Sequence, residues 1–291
     1  MPTDEVILQV KDLEAEFITD DGVVRILHGV DLDIKKGRTL GLVGESGCGK
    51  SVTAMSIMGL LPKPYGRVTQ GQILYKGKDL LRLPSDQMYT MRGNHISIVF
   101  QDPMTALNPV QTVENQINEV LALHRSDLNK KQRSAYALEM LTKVKIPMPE
   151  KRLKEYPHNL SGGMRQRVMI AMALACKPDI LICDEPTTAL DVTVQASILD
   201  LMIELQEETG MAMLFITHDL GVVAEVCDDV AVMYGGKIVE TADVFELFDN
   251  PQHPYTERLL GLMPGLRHEP KQLIEIKPID TACFPEFKSQ I

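Results

Sequence analysis

The segment Gly44-Glu45-Ser46-Gly47-Cys48-Gly49-Lys50-Ser51 constrains this chain more than any other, because it fits GxxxxGK[ST] at every fixed position. The pattern carries chemical meaning only between a strand and a helix. Thr39 to Val43 is a short apolar run that reads as the strand, and Ser51 to Leu60 reads as the helix. Glycines let consecutive backbone N–H groups turn inward around phosphate oxygens. The helix N-terminus adds a partial positive charge. Lys50 is placed to reach the β and γ phosphates of a nucleotide, and Ser51 offers its hydroxyl to Mg²⁺. Cys48 supplies a small side chain, and nothing marks it as a redox switch.

The pattern on either side predicts an α/β chain. Val6 to Leu13 and Ile26 to Ile34 read as strands separated by the turn residues Asp20, Asp21 and Gly22. The second alternates Val30, Leu32 and Ile34 against Asp31, Asp33 and Lys35. Gly71 to Tyr75 and Ile96 to Phe100 read as further strands. Helical periodicity then takes over in Thr112 to Leu123, Lys130 to Lys143 and Ser161 to Ala175. Residues 102 to about 174 therefore read as a helical insertion. Strands return at Ile180 to Cys183 and Met211 to Thr217, around a helix from Val192 to Glu208. Val230 to Tyr234 and Lys237 to Glu240 form a hairpin across Gly235-Gly236. Strands alternating with helices indicate a mostly parallel sheet, and the opening strands add an antiparallel part.

Ile180-Leu181-Ile182-Cys183-Asp184-Glu185 is an apolar strand ending in two acids. A strand tip of this kind beside a phosphate loop sets a carboxylate near a metal, so Asp184 is expected to hold Mg²⁺ through its water shell. Period-two alternation turns Glu185 the other way, where it orients or deprotonates an attacking water. The bland reading is a helix N-cap, since Pro186 and Thr187 follow.

Composition removes several classes. At 291 residues the chain can bury a sizeable core. Its net charge of −10 opposes general nucleic-acid binding, which rests on clustered Lys and Arg. No apolar run approaches a membrane span: Val52 to Leu61 contains Thr53, Ser56 and Gly59 and stops at Pro62. The opening residues, with Asp4 and Glu5, do not read as a signal peptide. The cysteines, Cys48, Cys176, Cys183, Cys227 and Cys283, make no CxxC, so no zinc or disulfide framework is expected and a reducing cytosol fits.

Five further segments carry a family resemblance. Leu160-Ser161-Gly162-Gly163-Met164 resembles the LSGGQ signature of ABC ATPases. Gln101, after an apolar strand, resembles the Q-loop glutamine. Ala189-Leu190-Asp191 resembles the D-loop, and Thr217-His218-Asp219 the switch histidine. Phe17 stands where the family often has an adenine-stacking aromatic, though at a strand end it also suits the core. The resemblance, from about Val6 to Leu260, implies a P-loop NTPase with a RecA-like mixed-sheet core, an antiparallel β part and the helical insertion. It sets an ABC ATPase domain over residues 1–260 and a C-terminal tail over 261–291. The implied ligands are ATP and Mg²⁺. The expected nucleotide-binding residues are Phe17, Gly44, Glu45, Ser46, Gly47, Cys48, Gly49, Lys50, Ser51, Val52, Ser161, Gly162, Gly163 and Asp191. Glu185, His218 and Gln101 are the expected catalytic residues; Ser51, Gln101 and Asp184 are the expected metal contacts.

Within the family, Phe100 to Pro109 (FQDPMTALNP), Leu160 to Leu174 (LSGGMRQRVMIAMAL) and His253-Pro254-Tyr255-Thr256 resemble the importer ATPases for peptides, opines and nickel. All three solutes stay open. Met164 replaces the signature Gln, which is usual for one of the two ATPase types of that subfamily. The resemblance implies a second ABC ATPase subunit, homo- or heterodimeric, with the signature facing the nucleotide of the opposite subunit. It also implies transmembrane permease subunits, an extracytoplasmic solute-binding protein reached indirectly, no nucleic acid, and a peripheral location on the cytoplasmic face of the inner membrane. DNA-acting and translational ABC ATPases carry long coiled coils or two ABC cores, and neither is present. A GTP switch would need NKxD, and Asn129-Lys130-Lys131-Gln132 lacks the Asp. Many relatives end in a Cys-rich segment that can hold an iron–sulfur cluster. Such a cluster needs about four thiolates. The tail offers only Cys283, so no cluster is expected there.

Overall fold

The computed structural model describes residues 5–188 and 190–261. The tail with Cys283, and Ala189 of the D-loop segment, lie outside the described residues. In chain order the elements are β1 (Val6–Thr19), β2 (Gly22–Lys35), β3 (Thr39–Val43), α1 (Lys50–Met58), β4 (Gly66–Tyr75), β5 (Lys78–Asp79), α2 (Ser85–Met91) and β6 (Ile96–Val99). Then come α3 (Pro103–Ala106), α4 (Val113–His124), α5 (Lys130–Lys143), α6 (Pro149–Arg152), α7 (Gly162–Leu174), β7 (Ile180–Asp184), α8 (Val192–Thr209) and β8 (Ala212–Thr217). Last are α9 (Leu220–Val226), β9 (Asp229–Tyr234), β10 (Lys237–Asp243), α10 (Val244–Asp249) and α11 (Pro254–Gly261).

The chain divides into two compact units. One unit holds Val6–Asp33, Leu40–Leu81 and residues 216–261. Its antiparallel sheet has the order β2-β1-β4-β5. Leu8 faces Tyr75, Val10 faces Ile73 and Phe17 faces Gly66 across β1 and β4. On β2 the expected alternation is realised: Val30, Leu32 and Ile34 are buried, while Asp31 and Asp33 are exposed. The second group of strands has the order β10-β9-β3, with β3 parallel to β9 and β9 antiparallel to β10. All of β3 is buried, as a parallel strand covered on both faces must be. Both β1 and β2 outrun the apolar segments predicted for them, because half of a two-faced strand is polar and adds no apolar signal.

The other unit holds Ile34–Thr39 and Arg82–Phe215. Its strands follow the order β8-β7-β6, and β6 runs parallel to β7 with Ile96 beside Ile180 and Val99 beside Cys183. The helix α4 buries Val113, Ile117 and Leu121, one stripe at helical spacing, and starts at the cap Thr112. Asn129 and Gln132 form a reciprocal capping box that starts α5. That accounts for the segment whose missing Asp had set it apart from a guanine-reading motif. From Val168 onward α7 is buried almost all round, with Met169 in the core.

Outside the helical insertion the sequence reading gives no helix at α2, α9, α10 or α11. The helix α9 is rich in Val, a β-branched residue of modest helix propensity, yet Asp219 Oδ1 accepts from the amides of Gly221 and Val222 and sets the helix start. Among the described residues, no helix is long and apolar enough to cross a membrane.

Candidate functional site

The phosphate loop lies between β3 and α1, as its sequence requires. Its shape depends on Gly44, whose φ is +153°; a Cβ there would stand 2.2 Å from the carbonyl oxygen of Met233. Lys50 is only 4% exposed. Its ammonium donates to the carbonyls of Gly44 at 2.8 Å and Glu45 at 3.0 Å. The cation is thus held across the mouth of its own loop by two partial charges, where an anion would attract it more strongly. The loop is fixed from outside too. Gly236, in the turn between β9 and β10, donates its N–H to the carbonyl of Cys48 at 3.0 Å. Glu45 donates its N–H to the hydroxyl of Tyr255 at 3.1 Å. Cys48 is buried, and burial pushes its thiol pKa up. A protonated, enclosed thiol suits a packing role. Ser51 lies in the first turn of α1 and is half-buried.

Also in this unit are Phe17 and His218. The ring of Phe17 is half-buried and its edge lies where a Cβ on Gly66 would meet it at 3.0 Å. His218 follows β8 and is exposed. The amide of its neighbour Asp219 donates to the Thr217 hydroxyl at 3.0 Å.

In the other unit, Asp184 closes β7 and is 7% exposed, a buried acid at a strand tip. Glu185 corrects the alternation argument. The strand ends at Asp184, and Glu185 has φ +47°, in the left-handed region that L-residues other than Gly seldom adopt. Its direction is set by this backbone reversal, not by strand periodicity. Nor does a helix start here, so the N-cap reading fails: a turn follows, with the Thr188 amide on the Glu185 carbonyl at 3.4 Å. Glu185 Oε2 accepts from Gln101 Nε2 at 3.0 Å and from the Thr188 hydroxyl at 3.0 Å. Gln101 and Glu185, far apart in sequence, are brought together. Thr188 joins them without having been singled out; only its place after the acid pair could have pointed to it. Strained backbone of this kind, on an acid gripped by two donors, is typical of working sites.

The signature segment starts α7. Ser161 is exposed and caps the helix, its Oγ accepting from the Met164 amide at 3.3 Å. That bond uses an oxygen lone pair and leaves the hydroxyl hydrogen for an acceptor. Gly163 allows close approach to α8, since a Cβ there would stand 2.6 Å from Cγ1 of Val194. Asp191 caps α8: its Oδ1 accepts from the Thr193 hydroxyl at 2.7 Å and the Val194 amide at 3.0 Å. Those bonds hold its carboxyl below the usual range. The two capped helix starts therefore adjoin, with Gly162 near Leu190.

Among the described residues no cluster of three His, Cys, Asp or Glu side chains could hold a metal alone. The predicted metal set is of another kind: one carboxylate, Asp184, a hydroxyl and an amide oxygen. These hard donors suit Mg²⁺, which is commonly held by one or two carboxylates together with substrate phosphates.

A family model described as ABC transporter matches residues 27–188. A probable peptide ABC transporter ATP-binding protein of Sinorhizobium fredii is 54% identical over 91% of this chain and 79% of its own length. A dipeptide transport ATP-binding protein of Bacillus subtilis is 56% identical over 90% of this chain and 78% of its own. Among solved structures, a dimeric ATP-binding cassette in a post-hydrolysis state with ADP and Pi is similar with TM-score 0.73. It is 28% identical and covers 81% of this chain and 98% of its own.

Proposed function

This chain belongs to the ABC transporter family as an ATP-hydrolysing, ATP-binding subunit, and from that premise we propose that it energises the import of peptides. The relatives named for peptide and dipeptide transport support peptides over opines or nickel. We assign residues 1–260 to the ATPase domain, with 102–174 as its helical part. The observation that carries the nucleotide reading is Lys50, buried and held by loop carbonyls at the start of α1.

In this reading the loop from Gly44 to Val52 wraps the phosphates and Lys50 leaves its carbonyls for the β and γ oxygens. Mg²⁺ would be held by Ser51, Asp184 and Gln101, and when bound it neutralises charge developing on those oxygens. Glu185 takes the proton of the attacking water, while Gln101 and Thr188 fix its orientation. His218 senses the γ phosphate. Phe17 stacks on adenine.

Ser161, Gly162, Gly163 and Asp191 serve the nucleotide of a second ABC subunit. The charge-bearing helix start has no use for the chain's own phosphates. Transmembrane permease subunits complete the complex, with a solute-binding protein outside, and this chain lies peripherally on the cytoplasmic face.

Assembly can be tested at Ser161. Ser161→Arg is expected to lower turnover of the assembled transporter by roughly 10²-fold, the scale of losing aligned oxyanion donors. The chain's own ATP affinity, measured by calorimetry on the isolated subunit, is expected to stay unchanged. Ser161→Asp keeps a capping oxygen and adds like charge against phosphate, so it should act in the same direction. Full turnover in both variants would contradict the shared site.

A further inference from the structure

We propose that Tyr255 is a positioning residue for the phosphate loop, and that His253-Pro254-Tyr255 is the device that presents it. The inference rests on the reading of that loop as the ATP site. Glu45 is held at both ends of its backbone. Its N–H donates to Tyr255 Oη at 3.1 Å. Its carbonyl accepts from Lys50 Nζ at 3.0 Å and from the Cys48 amide at 3.3 Å. The peptide that parks the lysine is thus anchored by a phenol from another part of the sequence. A loop that binds phosphate through backbone dipoles gains from having them set in advance, because no reorganisation is then needed on binding.

Tyr255 is built for this. It is 2% exposed, and its ring packs on Tyr234 with centroids 4.5 Å apart. Burial raises its pKa to about 12, so the hydroxyl stays neutral. The backbone leading to it is pinned. Glu240, on β10, accepts from the amides of Gln252 at 2.7 Å and His253 at 2.9 Å. His253 Nδ1 accepts from the Tyr255 amide at 3.1 Å and so caps α11. Pro254 opens the helix, a position with no N–H to satisfy. The three residues thus have separate physical tasks: cap, helix start and anchor. His253 and Tyr255 had no assigned role in ATP chemistry, and the fold supplies one.

The test is calorimetry of the full-length chain with ATP and Mg²⁺, on the wild type, Tyr255→Phe and Thr256→Val. Phe keeps the ring and removes only the hydroxyl. Thr256 lies on the same helix, is 1% exposed, and its hydroxyl has no hydrogen-bond partner among the described residues. Tyr255→Phe is expected to raise the ATP Kd by roughly two- to tenfold, the net worth of one hydrogen bond, with unchanged stoichiometry. Thr256→Val is expected to leave Kd unchanged. An unchanged Kd in Tyr255→Phe would overturn the proposal. So would a lowered stoichiometry at unchanged Kd, which marks a fold defect only, or an equal loss in Thr256→Val, which would point to helix packing. A wild-type chain that binds no ATP would instead overturn the reading of the loop, and this inference with it.

Discussion

Lys50→Ala is expected to weaken ATP binding by roughly 10- to 10²-fold, the scale of losing charge-assisted hydrogen bonds, and to leave no measurable turnover. The ammonium is 4% exposed and lies against the carbonyls of Gly44 and Glu45. Removing it takes away the one cation inside the loop and leaves those carbonyls turned toward the phosphates, an acceptor facing an acceptor. The fold should survive, because the glycine conformations and the anchors from Gly236 and Tyr255 are independent of the lysine. Calorimetry with ATP and a phosphate-release assay check the two halves. Normal affinity with normal hydrolysis would remove Lys50 from the site.

Glu185→Gln is expected to reduce hydrolysis by roughly 10²- to 10⁴-fold while ATP binding persists, the usual scale for a general acid–base group. Glutamine keeps the length of the side chain, so the backbone at φ +47° carries the same cost in both proteins. Its amide oxygen can still accept from Thr188 or Gln101. What it lacks is a site for the water's proton. The ATP-bound dimer with the partner subunit should therefore accumulate. His218→Ala should also cut turnover and spare binding. A Glu185→Gln complex with full activity would reduce the acid to a structural anchor of the turn at Thr188.

Much of the framework of the candidate site was legible because it is local. The phosphate loop, its strand and its helix are contiguous, and the strand Thr39–Val43 has the bounds its apolar run predicts. The same holds for the helix Lys130–Lys143, whose capping pair sits beside it in sequence. The signature helix and the hairpin across Gly235-Gly236 were legible for the same reason.

What failed left no periodic signal in the sequence. Strand alternation sets a direction for Glu185, but the strand ends one residue earlier and the chain reverses into a left-handed conformation. Periodicity holds no information past the end of its element. The bond from Tyr255 to Glu45 joins residues on opposite sides of the sequence, and no pattern within either segment predicts it. The helix Ser85–Met91 is too short for a periodic signal, and the β-branched residues of Leu220–Val226 argue for the wrong element until Asp219 is seen capping it.

The most direct test of the central claim is uptake of a labelled peptide by vesicles carrying the reconstituted transporter, with ATP supplied on the side of this subunit. The account predicts uptake that requires ATP, is accompanied by phosphate release, and is lost in the Glu185→Gln complex. Peptide uptake that proceeds without ATP, or that persists undiminished in that complex, would contradict it.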